Sequence, residues 1–258
     1  MEKEKIIKPE ISIIIPCFAH QKYVLSTLKD VDSYMNSYNP NYEVIFANDG
    51  SNDNSLEIAQ NYSLINPKVK VFDFPHRGKA AAVLDGFKKS SGKYILFCDV
   101  DLATPINELK KLMYYVTEGA YDIAVASREG IGAQRIGEPY YRHFMGRVFN
   151  KITQILLFKG IEDTQCGFKL FTRKALENIV NKMSVYNLEK MQTIKKAEVS
   201  AFDVEILFLA KLLKYKVKSI PVVWTFGEKS TVDPLHDSIK NFKDVLKVYI
   251  NNRKGLYK

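Results

Sequence analysis

"ILFCDVDLATP" occupies residues 95–105, and its reading decides the fold. An apolar run, Ile95 to Cys98, has the length and composition of a buried strand. It then ends in two carboxylates one residue apart, Asp99 and Asp101, with Pro105 closing the segment. Aspartate is common where a strand gives way to a turn. A D-x-D at a strand end can equally hold a hard cation, because Mg²⁺ and Mn²⁺ prefer oxygen ligands and often take only one or two carboxylates. The stretch alone leaves both readings open.

Upstream, the same design recurs. "ISIIIPCF" (11–18), "YEVIFAND" (42–49) and "KVKVFDF" (68–74) are β-rich runs. Helical spacing over 21–38, "NDNSLEIAQNYSLI" and "GKAAAVLDGFKKS" lie between them, with Asn52 or Asp53 able to cap the second helix. Strand and helix alternate, which predicts parallel strands joined by crossover helices. Ligands of such sheets bind outside the carboxyl ends of the strands. Pro16-Cys17-Phe18, Asn48-Asp49-Gly50 and Asp99-Val100-Asp101 all fall at those ends and are expected to share one crevice. "NDGSNDNS" (48–55) suits a turn with a helix cap, and also an Asp49 that accepts hydrogen bonds from a nucleotide. "HRGKAAAV" (76–83) resembles a phosphate-binding turn, but lacks the glycine spacing of a P-loop or a dinucleotide site.

Downstream, "YDIAVASR" (121–128) is a further strand, 140–158 a long helix and "CGFKLF" a short strand or turn. Residues 200–215 form a helix. "VKSIPVVWTF" is a late strand that Pro221 sends to a sheet edge, and lysine-rich 182–198 is a loop insertion. Hydrophobic content of 46% and charged content of 26% over 258 residues fit a globular chain with a sizeable core. Cys17, Cys98 and Cys166 have no metal-ligand spacing and predict no disulfide framework, so a reducing cytosol is the simplest setting. No signal-peptide core is seen near the N-terminus, and no apolar run reaches the ~18 residues of a membrane span.

The net charge of +9 implies an anionic partner. Nucleic acid is disfavoured, because no stacking-aromatic or helix-turn-helix pattern accompanies it. The excess is uneven. Residues 142–159 carry Arg142, Arg147, Lys151 and Lys159 without an acid, and the tail from His236 carries six Lys/Arg against Asp237 and Asp244. Both stretches are basic and amphipathic, able to lie on a membrane or to pack on the core.

"IIIPCF", "EVIFANDGSNDNS", "GKAAAVLDGF", "YILFCDVDLATP", "ASR", "DTQCGFKLF" and "FDVEIL" stand in the order found in family 2 glycosyltransferases. The chain resembles the polyprenyl-phosphate branch most, over roughly residues 11–228. The resemblance implies an α/β GT-A fold: a mixed, mostly parallel sheet flanked by helices, single-domain with a C-terminal amphipathic helix. The expected organisation is an extension (1–10), a GT-A domain (11–230) with a nucleotide-sugar half (11–128) and an acceptor half (129–230), and a basic tail (231–258). It also implies Mg²⁺ or Mn²⁺ at Asp99 and Asp101, and donor contacts from Pro16, Phe18, Asp49, Gly50, Ser51, Gly78, Lys79, Asp99, Val100 and Asp101. Arg128 and the acids Asp163 and Asp203 are the implied catalytic groups, and Arg135, Arg142, Gln165, Lys169 and Glu205 the acceptor side.

Three positions depart from the family pattern. Phe18-Ala19-His20 replaces Y-N-E, Asn48 replaces the first aspartate of D-D-G-S, and Ala103 replaces a glutamine frequent in mannose synthases, which favours glucose. The implied reaction is inverting transfer from a nucleotide-diphosphate sugar, UDP-glucose first, to dolichyl or polyprenyl phosphate, by a peripheral enzyme on the cytoplasmic face of a membrane. A phosphate acceptor needs little base help; a hydroxyl acceptor would need Asp163 or Asp203 as base. Mannosyl transfer from GDP-mannose, a soluble enzyme acting on saccharide or protein hydroxyls, and a nucleotide-sugar-binding protein without turnover are the competing expectations.

Overall fold

The computed structural model describes residues 8–195, 200–227 and 234–257. In chain order the elements are β1 (Ile11–Cys17), α1 (Gln21–Tyr38), β2 (Tyr42–Asn48), α2 (Ser55–Ile65), β3 (Val69–Asp73), α3 (Lys79–Lys89), β4 (Tyr94–Cys98), α4 (Leu109–Thr117), β5 (Ile123–Ser127), β6 (Gln134–Ile136), α5 (Tyr140–Leu156), β7 (Phe168–Thr172), α6 (Arg173–Val180), α7 (Phe202–Leu212), β8 (Val217–Pro221), β9 (Val223–Thr225) and α8 (Pro234–Arg253).

The main sheet has seven strands in the order β3-β2-β1-β4-β7-β5-β8. Pairing is parallel except around β7, which runs antiparallel to both β4 and β5. β6 and β9 form a separate parallel pair. The fully buried runs of β1, β2, β4 and β5 follow from helices on both faces, which leave no strand position facing water. Ile11, Ile13 and Ile15 pack with α1, α2 and α4. Ile14, Ile45, Ile95 and Phe97 pack with α3, α6, α7 and α8. The alternation of side chains along β1 thus splits one hydrophobic core into two layers.

Pro221 closes β8 at the sheet edge, as its missing N–H requires. Three expectations shift. Helix α2 starts after Asn54, and Asp53 instead accepts the N–H groups of Ser55 and Gln21, each at 3.0 Å, joining the starts of α1 and α2. The tail helix is no appendage to a 11–230 domain: Val245, Val248 and Tyr257 are buried in the second core layer. Nor do the two halves separate, since β7 lies between β4 and β5.

Candidate active site

The carboxyl ends of β1, β2 and β4, with the start of α3, carry the residues expected on the donor side. Asp49 is buried, and both of its oxygens are used. Oδ1 accepts the Arg77 N–H at 2.8 Å, while Oδ2 accepts the Gly78 N–H at 2.9 Å and lies 2.7 Å from His76 Nδ1. Asn48 donates to Asp73 at 2.6 Å and accepts from Ser51 at 2.6 Å. Ser51 and Ser55 in turn accept the N–H groups of Ala19 and His20, each at 3.0 Å. The 48–55 loop therefore caps the entry to α1 and holds the backbone that follows Phe18. The amide at position 48 has a local cause, because an aspartate there would face Asp73 with like charge.

Lys79, in the first turn of α3, forms an ion pair with Asp99. Burial works against its ammonium, but Asp99, then Asp203 and Asp101, outweigh that and raise its pKa. Asp101 accepts the Ala103 N–H at 3.1 Å. Burial first, and then the Asp99 charge, push the Asp101 pKa up. Val100 is buried, and its carbonyl accepts the Thr27 hydroxyl. Pro16, Lys79, Asp99, Gly167, Lys169 and Asp203 line one small pocket. Lys169 is 1% exposed and pairs with Asp203 at 2.7 Å. A methyl group built on Gly167 would lie 2.0 Å from Asp99 Oδ2, so the D-x-D sits directly over that glycine.

On the other side of the D-x-D, Arg128 follows β5. Its Nε and Nη2 each donate at 2.8 Å to Asp163, which is fully buried and also accepts the Arg128 and Gln165 N–H groups. Burial alone would raise the Asp163 pKa; the guanidinium overrides it and holds the carboxyl well below the usual range. The Thr225 N–H donates to Ala103 O at 2.8 Å and draws the 224–227 segment beside Asp101. Trp224 lies under Arg128 at 5.2 Å and Phe226 under Arg142 at 4.9 Å, distances suited to cation–π attraction. Glu129 gathers Arg135, His143 and Arg147.

A family model described as "Glycosyl transferase family 2" matches residues 12–180. The chain belongs to glycosyl transferase family 2. Among similar family 2 relatives, a dolichyl-phosphate beta-glucosyltransferase of Dictyostelium discoideum is 30% identical, over 96% of this chain and 76% of the relative. One of Trichomonas vaginalis is 32% identical, over 99% and 77%. The human dolichyl-phosphate beta-glucosyltransferase is 30% identical, over 96% and 78%. Glucosyl-3-phosphoglycerate synthase from Mycobacterium tuberculosis, solved with Mn²⁺, UDP-glucose and phosphoglyceric acid, has a TM-score of 0.60 at 14% identity, over 93% of this chain and 80% of that one. A mannosyltransferase from Pyrobaculum calidifontis, in complex with GDP-Man and Mn²⁺, has a TM-score of 0.58 at 15% identity, over 94% and 65%. The fold is the GT-A fold of these glycosyltransferases.

Within this family 2 site the structure redraws several expected roles. Glu205 does not reach the acceptor side. It is fully buried in α7 and accepts the N–H groups of Ser184, Val185 and Tyr186 and the Tyr257 hydroxyl. Asp163 and Asp203 are engaged by Arg128 and Lys169. Gln165 is tied in through its backbone, and Arg135 pairs with Glu129 and Glu138. Sequence reasoning missed His76, Trp224 and Phe226. The signal for the aromatic pair was present: the chain's single tryptophan stands in a late strand, two residues before a phenylalanine.

Proposed function

We propose that this glycosyltransferase transfers glucose from UDP-glucose to dolichyl or polyprenyl phosphate. The curated relatives, similar along nearly the whole chain, support the sugar and the lipid. One observation supports a phosphate acceptor in particular: the two acids named as possible bases, Asp163 and Asp203, and the acceptor-side acid Glu205 are all occupied. Asp163 is clamped by Arg128, Asp203 by Lys169, and Glu205 by backbone N–H groups. A hydroxyl nucleophile needs a base, whereas a phosphate monoester is already anionic. Arg128 and Arg142, each over an aromatic ring (Trp224 and Phe226), would be the cations that receive it.

The D-x-D residues fit a divalent cation. Both ligands are hard oxygens, the raised pKa of Asp101 marks carboxylate charge that a cation would relieve, and the Lys79 ammonium already does so for Asp99. Asp99 and Asp101 would hold the metal, which would neutralise charge developing on the leaving diphosphate. Lys79 would then turn from Asp99 to the donor phosphates. The enzyme would act peripherally at the cytoplasmic face of a membrane. The exposed apolar face of α5 (Tyr140, Tyr141, Phe144, Val148 and Ile155) supports such a contact.

The test is a two-phase assay with radiolabelled UDP-glucose or GDP-mannose, dolichyl phosphate, and Mg²⁺ or Mn²⁺. Label entering the organic phase from UDP-glucose is expected. Label passing only to water-soluble acceptors, or only from GDP-mannose, would overturn the proposal. Asp101→Asn should lower metal-dependent transfer by on the order of 10²-fold or more. The same variant should melt somewhat above the wild type in EDTA at pH 7. A carboxylate whose pKa is raised by the fold opposes folding once ionised, so this advantage grows as pH rises above the ordinary aspartate range, ~4, and vanishes below it. Added Mn²⁺ should stabilise only the wild type.

A further inference from the structure

Two residues expected to contact the nucleotide-sugar donor, Phe18 and Asp49, already have a partner. The His76 imidazole lies flat on the Phe18 ring, with centroids 3.8 Å apart and planes within 5°. Its Nδ1 is 2.7 Å from Asp49 Oδ2. A flat ring that stacks on an aromatic face and offers an N–H to a carboxylate is what a nucleobase with a ring imide would bring to the same two residues. The other ring nitrogen, Nε2, is buried without a hydrogen-bond partner. The slot thus holds the imidazole at the cost of one unsatisfied polar atom, an arrangement poised to be exchanged.

The backbone around His76 is held independently of its ring. Asp49 accepts the N–H groups of Arg77 and Gly78. The His76 carbonyl accepts the Ile194 N–H at 2.8 Å, and Arg77 donates to Leu188 O at 3.3 Å. Gly50, at φ +67°, makes room for the segment: a methyl group there would come within 3.0 Å of His76 N. The ring can therefore turn out of the slot while the turn that carries it stays in place.

We propose that His76 is an internal stand-in for the nucleobase, filling the place between Phe18 and Asp49 until a nucleotide displaces it. This rests on the nucleotide-sugar reading above. A chain that occupies its own site binds ligand less tightly by the fraction of molecules in which the site is open. Removing the imidazole therefore strengthens nucleotide binding. If the slot is filled in nine molecules out of ten, the gain is about ten-fold.

UDP with Mg²⁺ should be titrated calorimetrically into the wild type and His76→Ala. In parallel, the His76 ring resonances of the wild type are followed by NMR, assigned through their contact with Phe18. The expected result is roughly ten-fold tighter binding by His76→Ala, and wild-type ring signals that lose the Phe18 ring-current shift at saturation. Weaker or unchanged binding by the variant would overturn the proposal and make His76 a platform for the base or a bystander. Ring signals that stay fixed while UDP binds would overturn it from the wild type alone, even if the variant failed to fold. Absence of UDP binding to either protein would defeat the nucleotide-sugar reading as well, so the two failures are distinguishable.

Discussion

Gly167 shows how closely the D-x-D is fitted to its surroundings. A methyl group at that position would overlap the Asp99 carboxylate, lying 2.0 Å from Oδ2 and 2.5 Å from Cγ. The obstructing atoms are the end of a short side chain, so Gly167→Ala can be accommodated by turning Asp99 away from Lys79. Stability and activity should then separate. The melting temperature should fall by little, well under the 1–3 kcal/mol typical of an overpacked core. Transfer should drop on the order of 10²-fold as the proposed metal ligand and the Lys79 pair are lost together. A variant with full activity would show that Asp99 does not need its present position. At this scale the carboxylate pair was legible, because a D-x-D after an apolar run is a local signal. The partners of Asp49 were not legible: His76 is brought to it by the pairing of β2 with β3, and no local pattern encodes that approach.

Among the elements, β7 was the hardest to place from sequence. "CGFKLF" reads equally as a turn or a short strand, and nothing in five residues announces an antiparallel strand inside an otherwise parallel sheet. Its position has a consequence for the site: inserting β7 beside β4 sets Gly167 and Lys169 against the D-x-D. Helix α5 was read correctly as amphipathic, and the structure shows which stripe is free. Phe144, Val148, Lys151 and Ile155 share an exposed face, while Asn150 and Thr153 point inward. Phe144→Glu and Val148→Glu together should weaken co-sedimentation with phosphatidylserine-containing vesicles. Each lost insertion of an apolar side chain should cost on the order of ten-fold. Because both residues are exposed, the melting temperature and UDP binding should not change. Vesicle binding equal to that of the wild type would show that α5 does not face the lipid.

Over the whole molecule, the alternation of strands and helices was enough for the layered α/β fold, because the hydrophobic pattern alone requires helices on both faces of the sheet. The packing of the tail and of β7 was not legible, because contacts across long sequence distances close the molecule. The tail reaches back to Glu205 through the Tyr257 hydroxyl at 2.7 Å and to Ser184 through Asn251 at 2.8 Å, while Lys182 donates to Tyr257 O at 3.3 Å. Deleting residues 234–258 would therefore test stability before it tested membrane binding. Burial of each large apolar side chain contributes about 1.5–3 kcal/mol. Loss of Val245, Val248 and Tyr257 would then remove a large share of a total stability of typically 5–15 kcal/mol. The truncated chain is expected to be insoluble or to melt without cooperativity. Tyr257→Phe isolates one contact, a hydrogen bond to a buried carboxylate worth about 1.5–3 kcal/mol. It should lower the melting temperature by roughly 3–10 °C and leave UDP affinity unchanged, since Glu205 serves the core and not the crevice. Unaltered melting of the truncated chain would mark the tail as an appendage. Loss of UDP binding in a folded Tyr257→Phe protein would instead return Glu205 to the active site.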